Sequence, residues 1–122
     1  MKRVILRPAT RADFEAMLAE PLPYRVRAIA GAVDGEILGV GGIAFPPDSS
    51  AVAFLQSGAR ARDYPVALHR AARLILAEAR RLRIPRLVAT TEQGIESAQR
   101  WLARLGFERT HIDGHEVWTW HP

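Results

Sequence analysis

One stretch constrains the fold more than any other: Glu96-Ser-Ala-Gln-Arg-Trp-Leu-Ala-Arg-Leu-Gly-Phe107, followed by Glu108-Arg-Thr. Ala98, Trp101, Leu102 and Leu105 recur at i, i+3, i+4 and i+7, so they form one apolar stripe on a helix. Glu96 precedes Arg100 by four residues, the favourable order for a surface ion pair. Gly106 stands where a left-handed helix stop needs no side chain, and Phe107 can fold back onto the final turn. Glu108 to Ile112 then reads as a strand. Asp113-Gly114 is a hairpin turn, because both positions tolerate positive φ, and His115 to Trp120 returns.

The rest of the chain supplies the sheet that this ending joins. Val4 to Leu6 is a short apolar strand stopped by Pro8. Thr10-Arg-Ala-Asp13 reads as a capping box, with Phe14, Met17 and Leu18 on one face of the helix it opens. Pro21-Leu-Pro23 ends that helix. Arg25 to Val33 and Ile37 to Phe45 are strands joined by Asp34-Gly35. After the loop Pro46 to Ser50, Ala51 to Gln56 is almost wholly apolar, as a central strand buried on both faces should be. Ser57 to Tyr64 is an irregular link. Pro65 suits the first turn of a helix running from Val66 to Leu82, broken by Ile84-Pro85. Arg86 to Thr90 is a fifth strand. The strand–helix–strand unit in the middle requires a parallel pair, with antiparallel hairpins on either side.

Composition excludes several classes. The chain has 122 residues, enough for one domain (1–122) and too few for two. There is no cysteine, which removes disulfides, thiolate catalysis and Cys-based zinc sites together. No apolar run is long enough to span a bilayer, and the N-terminus lacks the apolar stretch of a signal peptide, so a cytoplasmic protein without membrane partners is expected. The net charge is +4, and every basic residue except Lys2 is an arginine. These lie throughout the chain with no recognition motif, so nucleic-acid binding ranks last among the functions considered.

The element order, the start Leu6-Arg-Pro-Ala-Thr10 with Asp13, and the helix stopped by Leu-Gly-Phe together resemble the GCN5-related N-acetyltransferase (GNAT) superfamily. The resemblance covers nearly the whole chain. It implies an α/β (α+β) fold: a mixed, mostly antiparallel sheet with a central parallel pair and helices on both faces. It also implies an acetyl-CoA-dependent N-acyltransferase acting on the amine of a small molecule or protein. The family's fourth strand runs into a turn of the form Arg/Gln-x-x-Gly-x-Gly/Ala, where backbone N–H groups at a helix N-terminus hold a pyrophosphate. Arg62-Asp-Tyr-Pro-Val-Ala67 matches that turn, with Arg62 and Ala67 at its ends. The resemblance therefore assigns cofactor binding to Arg62, Asp63, Tyr64, Val66, Ala67 and Leu68, and pairing of the pantetheine arm to Gln56 and Ser57.

Three departures fall where the family keeps its chemistry. Pro65 stands where glycine is usual and removes an N–H, Ile95 stands where asparagine often aids the cofactor, and Leu102 replaces the usual acid, a tyrosine. Glu92 and His69 are the candidate bases and Tyr64 is a substitute acid. A non-catalytic GNAT-fold binding or assembly protein is the rival reading. The pairing of Pro65-x-x-x-His69-Arg70-x-x-Arg73 with Arg100-Trp101-Leu102 resembles the short acetyltransferase-like proteins of tailed bacteriophages, and implies a phage or prophage source. An open groove between the fourth and fifth strands, lined by backbone N–H groups, favours the enzyme; one filled by side chains such as Leu55 or Trp101 favours the rival.

Two further patterns carry expectations. His111-x-Asp113-x-His115 has metal-ligand residue types but reads more simply as a hairpin turn, so no metal is assigned. Trp118 and Trp120 alternate onto one face of the last strand, in a hairpin expected at or near a sheet edge. Two indoles there must pack on a helix of the same chain or on a second subunit. The resemblance adds the expectation of a homodimer through this region.

Overall fold

In the first half, strand alternation and turn chemistry build an antiparallel run. Four strands, β1 (Ile5–Pro8), β2 (Arg25–Val33), β3 (Glu36–Phe45) and β4 (Ala51–Ser57), pair in sequence order. The computed structural model describes residues 3–18, 23–47, 49–89 and 96–122; Pro21, Leu22, Thr90, Glu92 and Ile95, and the side chain of Glu96, lie outside them. Asp34 (φ 51°) and Gly35 (φ 79°) make the turn between β2 and β3, both in the left-handed conformation a two-residue hairpin demands. At Gly42 the strands approach so closely that a Cβ would lie 2.0 Å from the carbonyl oxygen of Arg27, so only glycine fits.

Helix α1 (Arg11–Met17) begins as the sequence requires. The Thr10 hydroxyl accepts from the Asp13 N–H, and Asp13 accepts from the Thr10 N–H at 2.7 Å, a complete capping box. Arg7 adds two bonds to the same carboxylate, at 2.5 and 3.0 Å. The guanidinium first, and then the Thr10 N–H, hold the Asp13 carboxyl well below the usual carboxylate range.

A short 3-10 turn, Ala59–Asp63, leads into helix α2 (Pro65–Arg81), with Pro65 at its first turn. Then come β5 (Leu87–Ala89), α3 (Glu96–Leu105), β6 (Glu108–Ile112) and β7 (His115–Trp120). Helix α3 stops at Gly106, whose φ is 101°, with Phe107 donating back to the Leu102 carbonyl. That is the Schellman stop the sequence announces.

The seven strands form one mixed sheet in the order β1-β2-β3-β4-β5-β7-β6, with β4 and β5 the parallel pair. The fold class is therefore as expected. On one face, α2 and α3 pack over Ile43, Leu87, Trp118 and Trp120, joined by Leu76, Leu102 and Phe107. The alternation of β3 sends Leu38 and Val40 to the opposite face, where α1 lies against β3 and both are buried.

Two expectations change. The last hairpin does lie at the sheet edge, as expected, but the edge strand is β6, and β7, which carries the tryptophans, is interior between β5 and β6. Trp118 and Trp120 are buried within their own chain, under the helices, with the guanidinium of Arg80 5.0 Å from the Trp120 ring. The exposed apolar area that would have asked for a second subunit is thus absent from this strand. Strand β4 is central but not buried on both faces: it is half-buried from Ala51 to Phe54 and exposed from Leu55 to Ser57.

Candidate active-site groove

Strand β4 pairs with β3 along six positions, from Val52 opposite Ala44 to Ser57 opposite Gly39. Towards β5 the pairs among the described residues are Ala51 with Leu87 and Val52 with Val88. Beyond Val52 the edge of β4 has no strand partner among the described residues. A groove of about 410 Å³ opens there, walled by β4, α2 and α3. Four consecutive β4 residues, Val52 to Leu55, line it. Successive side chains point to opposite faces, so a wall made of four in a row is the strand's edge and not its face. The groove is neither closed by Leu55 nor filled by Trp101. Both stand in its walls with Leu68, Ala72 and Ile75 from α2 and Ala98 and Leu102 from α3.

At the mouth, the 3-10 turn alters the expected anion nest. The Tyr64 N–H donates to the Ala61 carbonyl at 3.0 Å, and the Leu68 N–H donates to the Tyr64 carbonyl at 3.1 Å. The first bond closes the 3-10 turn and the second is the opening bond of α2, so neither N–H is free for an anion. With Pro65 lacking an N–H, Val66 and Ala67 keep backbone donors with no partner among the described residues. Arg62 and Asp63 are exposed on the same turn, and Arg70 and Arg73 are exposed on α2. Arg60 instead pairs with Glu36 across the β2–β3 turn, and its guanidinium pKa is raised chiefly by that hydrogen bond. Gln56 and Ser57 lie at the exposed end of β4, on the edge that faces the opening.

Polar chemistry within the groove is sparse. The Trp101 indole N–H donates to Nδ1 of His69 at 3.1 Å, tying α3 to α2. Nδ1 is then an acceptor, which places the imidazole proton on Nε2. This bond occupies the Nδ1 lone pair of His69. The contact joins residues 32 positions apart, and no local pattern in the sequence could reveal it. Leu102 is buried, part of both the core and the groove wall. Tyr64 does not line this groove. It lines a smaller cavity on the β1–β3 side, from which Leu55 and Leu68, present in both linings, separate it. Glu92 is outside the described residues. In the last hairpin His115 pairs with Ile112 and His111 with Glu116, as strand partners around the Asp113-Gly114 turn. Among the described residues no group of His, Asp or Glu is placed to hold a metal, and no helix is long and apolar enough to cross a membrane.

No protein-family model and no curated protein sequence matches the chain. Solved structures do. The ribosomal-protein-S18-alanine N-acetyltransferase from Escherichia coli superposes with a TM-score of 0.75 at 12% identity, covering 98% of this chain and 94% of that one. A Bacillus anthracis str. Ames structure determined in complex with acetyl coenzyme A gives 0.72 at 13% identity, over 98% and 99% of the two chains. A GNAT family acetyltransferase from Elizabethkingia anophelis with acetyl-CoA bound gives 0.65 at 13% identity, over 98% of each. The fold is the GNAT fold, at a sequence distance where only the fold is shared ground.

Proposed function

We propose that the protein is a coenzyme A thioester-dependent N-acyltransferase, with acetyl-CoA the expected donor and an amine the acceptor. The observation that carries this reading is the groove beside β4, along an edge that beyond Val52 has no strand partner among the described residues. Two of the similar structures were determined with acetyl-CoA. The residues present suit such a ligand. The free edge from Ala53 to Ser57 offers amide donors and acceptors to the amides of a pantetheine arm. Val66 and Ala67 N–H groups at the start of α2, with Arg62, Arg70 and Arg73 nearby in sequence, suit a pyrophosphate. Asp63 opposes them.

When bound, the thioester supplies an activated acyl carbonyl. Transfer forms the amide C–N bond, breaks the thioester C–S bond, and moves one proton from the amine to the departing thiolate. No titratable side chain stands among the described groove residues. The chain's contribution is therefore to align the reacting atoms and to keep water from the thioester with apolar walls, and alignment alone supplies much of such a rate. Glu92, which follows β5 in sequence, is assigned the amine proton. Tyr64, the candidate acid, lines the smaller cavity beside the groove.

Calorimetry with coenzyme A and acetyl-CoA tests the reading: saturable binding is expected, and no heat at millimolar ligand refutes it. Once an acceptor is in hand, Glu92→Gln should lower turnover roughly a hundredfold with thioester affinity kept. A second reading, a GNAT-fold protein that binds without catalysing, is favoured by Leu102 and by the engagement of His69 by Trp101. A phage or prophage source belongs to this second reading and rests on the Trp101-Leu102 pair. Tight thioester binding with no transfer to any amine tried would select it.

A further inference from the structure

We propose that the groove takes a thioester whose acyl group is an apolar chain longer than acetyl, an inference that rests on the acyltransferase reading above. The first ground is the lining. Every described residue that lines the groove is apolar, and the one polar side-chain atom among them, the Trp101 indole nitrogen, is engaged by His69. The second ground is depth. Leu76, Ala89 and Phe107 line the groove and also belong to the principal hydrophobic core, so its floor is the core itself.

A pantetheine arm laid on that floor would bury its amides against side chains that cannot pair with them, a cost of several kcal/mol. The arm belongs on the unpaired β4 edge, which begins beyond Val52. The floor is then left for the acyl group. An acetyl methyl fills little of about 410 Å³. Protein interiors are close-packed, and apolar cavities of roughly 150 Å³ lined by such side chains stay dry and take up apolar guests. An aliphatic chain running from the β4 edge towards Leu105 and Phe107 satisfies both the polarity and the space.

Calorimetry of the whole chain with acetyl-, butyryl-, hexanoyl- and octanoyl-CoA tests this directly. Each methylene that enters the floor should tighten binding roughly fourfold, giving about a fifteenfold gain from acetyl to butyryl and a plateau once the chain meets Phe107. Acetyl-CoA binding as tightly as the longer thioesters, or more tightly, overturns the inference and leaves the acyltransferase reading standing. No binding by any of the four overturns both. In Ala72→Leu, whose larger side chain would enter the groove from α2, the ratio of octanoyl to acetyl affinity should fall. A melting curve establishes that the variant is folded, and an unchanged ratio in folded protein overturns the placement of the chain.

Discussion

The two edges of β4 are a controlled comparison within one strand. Among the described residues, six successive positions of β4 find partners towards β3 and two towards β5. The backbone is the same on both sides, so the difference lies in what surrounds it. On the closed side the glycines of β3 let strands and helix approach closely, and Ile43 is 1% exposed. On the open side Leu55 is 41% exposed and apolar walls face empty space. One half of the sheet keeps its strands paired. The other gives up strand pairing and keeps a site. A strand whose edge is unpaired yet flanked by α2 and α3 is sheltered from pairing with another chain, and available to a narrow ligand that pairs as a strand does.

The comparison is most easily broken at Gly42. If the closed side is as tight as the geometry states, Gly42→Ala should cost at least about 3 kcal/mol, because the obstacle is backbone and not a movable side chain. Urea unfolding measures it; a loss under about 1 kcal/mol would show that β2 and β3 yield readily. Next in size is a matched pair on the helix-covered face. Ile43→Ala should cost about 2–5 kcal/mol, and Leu55→Ala about 1 kcal/mol or less, since much of Leu55 already meets solvent. Equal costs would mean that the groove side is packed like the core.

A smaller effect lies at the start of α1. Asp13→Asn removes the charged partner of Arg7 and half of the capping box, for about 1 kcal/mol. The pH dependence sharpens it. The folded carboxyl is held below its unfolded value near pH 4. Its stabilisation is therefore complete above that value and is lost as pH falls below it. Wild type and variant should differ most near neutrality and converge in acid. A gap that stays constant from pH 7 to pH 3 would show that the variant's loss is only that of a neutral hydrogen bond.

What the sequence made legible follows from which interactions are local. The capping box at Thr10, the left-handed pairs at Asp34-Gly35 and Asp113-Gly114, Pro65 at a helix start and Gly106 at a helix stop each depend on a few adjacent residues, and each forms where the residues say. The parallel pair followed from element order. The groove did not. Ala51 to Gln56 reads as a doubly buried strand because apolar residues suit a buried face, and they equally suit the wall of an apolar cavity. Nor could the sequence show that the 3-10 turn would engage the N–H of Tyr64, since that depends on how Ala59 to Asp63 coils. The His69–Trp101 bond and the burial of Trp118 and Trp120 are set by helices and strands distant in sequence.

The smallest effect concerns two helix ends that share one motif. At the end of α3, Phe107 donates to Leu102 and Gly106 to Ala103; at the end of α2, Ile84 donates to Ala79 and Arg83 to Arg80. The hydrogen bonds correspond position for position. The residue in the left-handed conformation is a glycine at one end and an arginine, with φ 56°, at the other. Only the first was readable, because glycine announces the stop and arginine does not. A left-handed L-residue carries a strain of roughly 1–2 kcal/mol. Glycine removes that strain but loses more chain entropy on folding and gives up a cation near the helix C-terminus worth roughly 0.3–1 kcal/mol. The sum favours glycine slightly, so Arg83→Gly should stabilise by about 0.5 kcal/mol. The reverse change is not symmetrical. A Cβ at Gly106 would stand 3.3 Å from the Trp120 ring, so Gly106→Ala adds crowding to strain and should destabilise by about 1–2 kcal/mol. Chemical unfolding of the two variants side by side decides it. A loss at Arg83→Gly as large as that at Gly106→Ala would mean that the arginine's charge, and not the backbone, governs the end of α2.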